Sequence, residues 1–121
     1  MLPSSVLDKS LQELERSDWG EPTYDSYFVT ISHRLRRVPL RQFTVEDLRI
    51  MIGQNIGLQY LVPLALEHLR KDPLAEGDFY PGDLLKMVLA ADAHFWREHA
   101  QWHKEVEHIE RHARDLINPS S

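Results

Sequence analysis

Histidine is the residue whose placement first suggests chemistry. Five of the seven histidines stand at 94, 99, 103, 108 and 112. On a helix, His99 with His103 and His108 with His112 are one turn apart, the spacing of a two-histidine metal clamp. Such a clamp needs a third ligand, and no His-Glu-x-x-His pattern completes either pair. Glu105-x-x-His108 matches half of a di-iron carboxylate motif, but the second Glu-x-x-His that a di-iron bundle requires is missing. Glu107 with Arg111 and Glu110 with Arg114 instead have the i,i+4 spacing of ion pairs on a solvated helix face. The expectation is no metal and no other cofactor.

Nucleophilic chemistry has as little to build on. Without cysteine there is no thiol nucleophile, disulfide framework or thiolate zinc site, and neither a phosphate-binding loop nor a Gly-x-Ser-x-Gly elbow occurs. The chain is therefore not expected to be an enzyme, and a small metal-binding helical enzyme is kept as an alternative class.

His33, Arg34, Arg36, Arg37 and Arg41 form the basic cluster of the chain. Two helices expected over 44–55 and 58–70 loosely mimic helix-turn-helix spacing. A recognition helix must present Arg, Asn or Gln to base edges, whereas residues 60–66 present mostly apolar groups. The formal charge of −5, from 14 basic and 19 acidic residues, repels phosphate backbones and favours a basic partner surface. Nucleic acid is not an expected partner, and a nucleic-acid-binding regulator is the other alternative.

The segment 76–83 joins the carboxylates Glu76, Asp78 and Asp83 to the aromatics Phe79 and Tyr80. That composition suits a protein-binding hot spot or a loop pinned onto a core. Pinning is expected, with Phe79 or Tyr80 plugging the corner between the fourth and fifth helices and Asp83 near the N-terminus of the fifth.

These residues must be positioned by helices. Leu7, Leu11 and Leu14, after a Ser5-x-x-Asp8 box, predict a helix over 5–16. Tyr24, Tyr27 or Phe28, Ile31 and Leu35 predict a second, and Thr44-Val-Glu-Asp47 opens a third that Gly57 is placed to end. Residues 58–70 are apolar almost all round and describe a buried central helix, with Pro63 in its early turns. Leu84, Leu85, Val88 and Leu89 mark a short fifth helix, and Asp92 is placed to cap the last. From 93 to 117 the positions Phe95, His99, Trp102, Val106, Ile109, Ala113 and Leu116 alternate steps of four and three, predicting one long amphipathic helix. The fold class is all-α, a single compact domain over 1–121 of about six helices, with loose ends at 1–4 and 118–121. The longest apolar run, 61–66, is only six residues and includes Pro63, so no membrane segment is expected. The first ten residues are not those of a secretory signal, and the expected compartment is cytoplasmic.

Val45-Glu-Asp-Leu-Arg-Ile-Met-Ile-Gly-Gln54, Gly57-Leu-Gln-Tyr-Leu-Val-Pro63 and Asp72-Pro-Leu-Ala-Glu-Gly-Asp-Phe-Tyr-Pro-Gly-Asp-Leu-Leu85 resemble the immunity proteins of bacterial contact-dependent growth inhibition (CDI) systems. Ser17-Asp-Trp-Gly-Glu-Pro22 and His33-Arg-Leu-Arg-Arg37 extend the likeness. The resemblance implies a cytoplasmic antidote that binds the C-terminal toxin domain, often a nuclease, of its cognate effector, with no catalysis of its own. It also implies that 72–85, shared by immunity proteins facing unrelated toxins, is scaffold. The toxin-binding residues are then expected on the exposed face of the last helix: Glu98, Glu105, His108 and His112. Oligomeric state is left open by the sequence.

Overall fold

Helix starts in this chain are written in capping residues. In the computed structural model, which describes residues 2–22 and 26–118, the Thr44 hydroxyl accepts the Asp47 N–H at 3.1 Å while the Asp47 carboxylate accepts the Thr44 N–H at 3.0 Å. This reciprocal box opens the helix Val45–Gly53 (α4). The N-terminal box differs from expectation. It is Ser10 with Glu13, not Ser5 with Asp8, so the helix expected over 5–16 is two short ones, Ser4–Leu7 (α1) and Leu11–Glu15 (α2). Ser4 starts α1 and Leu2 packs against the core, while residue 1 and residues 119–121 lie outside the described residues.

Tyr27–Leu35 (α3) follows, and a single 3-10 turn at Leu40–Gln42 leads to α4. Tyr24, expected on the apolar face of α3, lies outside the described residues. Leu35 is fully buried, but Tyr27 and Phe28 are 65% and 52% exposed and do not join the core.

Gly57 does not end α4. That helix stops at Gly53, Asn55 turns the chain in the left-handed region (φ 58°), and Gly57 (φ +63°) stands at the N-cap of Leu58–Lys71 (α5). A Cβ on Gly57 would come within 2.8 and 2.9 Å of the two Leu11 methyls, so both the backbone angle and the packing of α2 demand glycine. As expected, α5 is the spine of the fold: Leu61, Val62, Ala65, Leu66 and Leu69 are completely buried. They meet Leu48, Met51 and Ile52 of α4 and Leu84 and Val88 of Asp83–Leu89 (α6) in one apolar cluster. Pro63 removes a helical donor, and the residue whose carbonyl loses it, Gln59, is exposed, where water can serve instead.

The long C-terminal helix is also divided. Ala93–Glu98 (α7) and Ala100–Ile117 (α8) meet at His99, whose backbone (φ −130°, ψ 55°) leaves the helical region. Asp92 stands at the N-cap position of α7 but makes no side-chain cap; its own N–H donates to Asn55 Oδ1 at 2.8 Å. The break is accompanied by ring packing. His99 lies 4.5 Å from Trp102 at an interplanar angle of 7°, and 4.5 Å from Phe95. His103 stacks on Trp96 at 5.0 Å. Aromatic pairs contribute about 0.5–1.5 kcal/mol each beyond area burial, enough to offset an interrupted helical ladder. The stripe still packs inward through Phe95, Val106, Ile109 and Ala113, whereas Leu116 is exposed.

The architecture is thus an all-α single domain with eight α-helices among the described residues. No helix among those residues is long and apolar enough to cross a membrane.

Candidate functional site

The 76–83 loop is pinned, but by carboxylates and not by its aromatics. Asp83, the first residue of α6, is only 2% exposed, and its carboxylate accepts the N–H groups of Gly77 (2.7 Å) and Phe79 (3.1 Å). Glu46, from the first turn of α4, accepts the Asp78 N–H at 2.9 Å. A side chain at Gly77 would place its Cβ 2.5 Å from Glu46 Oε1, so this close approach needs glycine. Arg49, one turn along α4, grips Glu46 with two parallel bonds of 2.6 Å and stands 3.9 Å from Asp83. This grip, opposed by burial, holds the Glu46 carboxyl below its ordinary range and raises Arg49.

Phe79 and Tyr80 do not plug the helix corner: they are 66% and 43% exposed. Once the backbone bonds hold the loop, the rings are left at its tip. Phe79 lies over the Arg49 guanidinium at 4.4 Å and Tyr80 lies 5.9 Å from the Lys86 ammonium. Tyr80 also lines an apolar groove of about 480 Å³ with Leu74, Leu85 and, from α8, Arg114 and Ile117. A separate hollow of about 260 Å³ is lined by Arg49, Ile50, Gly53, Met87 and the exposed Phe28. Glu76 is exposed and forms an isolated bridge with Pro81.

The four residues expected on one face of the last helix have different surroundings. Glu98, at the end of α7, is exposed and receives His94 Nε2 at 2.9 Å. Glu105 is turned to α5, where Arg70 holds it through Nη2 at 2.8 Å and through Nε. That bond lowers the Glu105 pKa and raises that of Arg70. Only His108 and His112 stand together in the open, lining a surface hollow of about 470 Å³ with Arg111 and Asp115. Of the two ion pairs expected along this helix, Glu110 with Arg114 closes at 2.9 Å. The helix break and the reach of Arg70 across to α8 are tertiary facts that residue spacing does not carry.

His99 and His103 are drawn to different tryptophans, so the expected clamp spacing does not become a clamp. No group of three or more His, Asp or Glu side chains able to hold a metal is gathered among the described residues.

The basic cluster is folded back onto the acidic segment before it. Arg36 is buried, with one arm on the Glu15 carboxylate, another on the Ser17 carbonyl at 2.6 Å, and its face 4.2 Å from the Trp19 ring. Arg37 reaches Glu21 at 3.3 Å and the Gly20 carbonyl at 2.9 Å, and Arg41 reaches Asp8 at 2.8 Å. These cations tie the 8–21 segment to the fold, with Arg36 buried, while Arg34 is exposed and Arg37 and Arg41 keep 43% and 52% of their side-chain surface in solvent.

What sequence reading passed over is the Glu46–Arg49 pair. Its i,i+3 spacing was the available signal, but nothing in it says that the pair clasps a loop 32 residues from Glu46.

Residues 13–106 match the family model described as CDI immunity proteins, a span that includes α3 to α7, the pinned loop and the first turns of α8. No curated protein and no solved structure matches the chain.

Proposed function

Starting from a chain that belongs to the CDI immunity proteins, a family that neutralises CDI toxins, we propose that it acts by one-to-one binding to the C-terminal toxin domain of its cognate effector, without catalysis. The observation that carries this reading is the family match over 13–106, and the acidic balance of the chain adds to it: 19 carboxylates against 14 cations. A nuclease toxin has a basic substrate groove, and an acidic partner both steers towards it and fills it. The site of action is the cytoplasm, where a delivered nuclease meets its substrate.

Part of the contact lies on the outer side of α7 and α8. Glu98, His108 and His112 support this, because all three are exposed. Glu105 serves indirectly, since it is bound to Arg70 and holds α8 against α5.

Calorimetric titration of the chain against the cognate toxin domain, inactivated at its catalytic residue, tests the reading. The expected result is a one-to-one isotherm with Kd at or below about 1 nM, which corresponds to roughly −12 kcal/mol. Protection of toxin-exposed cells at substoichiometric amounts of the chain would instead indicate turnover and overturn it. Within the complex, Glu98→Lys and the double change His108→Ala, His112→Ala are expected to weaken binding.

A further inference from the structure

An aromatic and acidic surface centred on Arg49 is left unexplained by the fold. Tyr27 and Phe28 stand edge to face at 5.3 Å on the first turn of α3, both more than half exposed. Phe28 shares a hollow with Arg49 and Met87, and Phe79 covers the Arg49 guanidinium from the loop. Large apolar side chains left in water are unfavourable unless a partner covers them. The Phe79 ring is also held: its N–H is bound to Asp83, and the ring rests on a guanidinium that Glu46 fixes at two points. An anchor already ordered in the free protein loses little entropy on binding, which is the condition for a hot spot.

Charge identifies the occupant. Asp78 is exposed, and beneath it Glu46 (side chain 16% exposed) and Asp83 (2%) share the single Arg49 guanidinium, so the site carries more negative than positive charge and presents Asp78 to a partner. A second copy of the chain meeting this patch through a two-fold contact would set like charges against each other, and a phosphate backbone or an anionic lipid surface would be repelled. A basic protein surface with an apolar centre fits.

We propose that this patch, through Phe28, Phe79 and Asp78, is the anchor on which a basic surface of the cognate toxin domain docks. The pinned backbone of 72–85 is then scaffold, as the family resemblance implies, while two exposed side chains at its tip, against that expectation, belong to the contact. The proposal rests on the toxin-neutralising function above and adds where the tight part of the contact lies. Because Tyr80 of the same loop shares a groove with Arg114 and Ile117 of α8, the anchor borders the helix that carries the outer contacts.

The test is binding of the full chain to the catalytically inactivated toxin domain, measured by calorimetry and by association and dissociation rates. Phe28→Ala and Phe79→Ala are each expected to raise Kd by about ten-fold or more, mainly through faster dissociation, with melting temperature and helical circular dichroism unchanged. Asp78→Lys, which keeps the backbone bond to Glu46, is expected to slow association most at low salt. It decides the matter should either alanine variant lose stability. A tight wild-type complex in which all three variants behave as wild type overturns the anchor and leaves neutralisation by binding intact. A wild-type chain that forms no complex overturns both.

Discussion

Arg70 of α5 and Glu105 of α8, 35 residues apart in sequence, form a two-pronged ion pair, with Nη2 to Oε1 at 2.8 Å. It ties the outer helix to the spine. Glu105, which sequence spacing assigns to an exposed face, is thereby a member of the scaffold.

Its loss should be small but pH-dependent. Arg70 is half exposed, so Glu105→Gln is expected to cost about 0.2–1 kcal/mol at neutral pH. The folded-state pKa of Glu105 is lowered, chiefly by its bond to Arg70. The carboxylate therefore contributes stability that is present above its unfolded value, about 4.3, and is lost as pH falls through the depressed folded value. Urea unfolding of wild type and variant between pH 7 and pH 3 should converge at the acid end; curves that stay parallel would refute the pair's role.

Glu46 should follow the same sign. Its carboxyl is also held low, first by Arg49, so the loop clasp is complete at neutral pH and opens only as acid protonates it. Proton titration followed by carboxyl NMR is expected to find Glu46 and Glu105 titrating below the ordinary glutamate range.

Asp83→Ala leaves the N–H groups of Gly77 and Phe79 without their acceptor, at an expected cost of about 1–3 kcal/mol. Amide exchange at residues 77 and 79 should quicken far more than exchange in α5. Unchanged protection there would show that the carboxylate does not pin the loop.

Gly57→Ala combines a left-handed backbone angle with a 2.8 Å approach to Leu11, and destabilisation of about 1–3 kcal/mol is expected. Trimming the obstacle with Leu11→Ala removes the clash but not the angle. The double variant should therefore be more stable than the sum of the single effects, and strict additivity would contradict the contact.

Arg36→Ala removes the partner of Glu15 and Ser17 and the cation under Trp19, so the 16–20 segment should detach. Trp19 emission is expected to shift to the red and stability to fall by about 1–3 kcal/mol. An unshifted spectrum with lowered stability would place the loss elsewhere.

By itself, the sequence determined the all-α class, the buried spine over α5, the Thr44 capping box and the short helix α6, because each rests on spacing within a few residues of chain. Thr44 and Asp47 need only each other, and the leucines of α5 need only a common face. The family likeness was legible in the 45–85 segments for the same reason: it is carried by contiguous residues. The break of the long apolar stripe of 93–117 at His99 was not legible in the sequence, since a three-and-four rhythm survives one non-helical residue. Only the tertiary structure decided that Gly57 serves Leu11, that Glu105 faces Arg70, and that Tyr27, Phe28 and Phe79 remain in water. Those outcomes depend on which groups the fold brings from distant positions to one place. Periodicity reports the face a side chain occupies on its own helix, and carries no information about what will stand opposite.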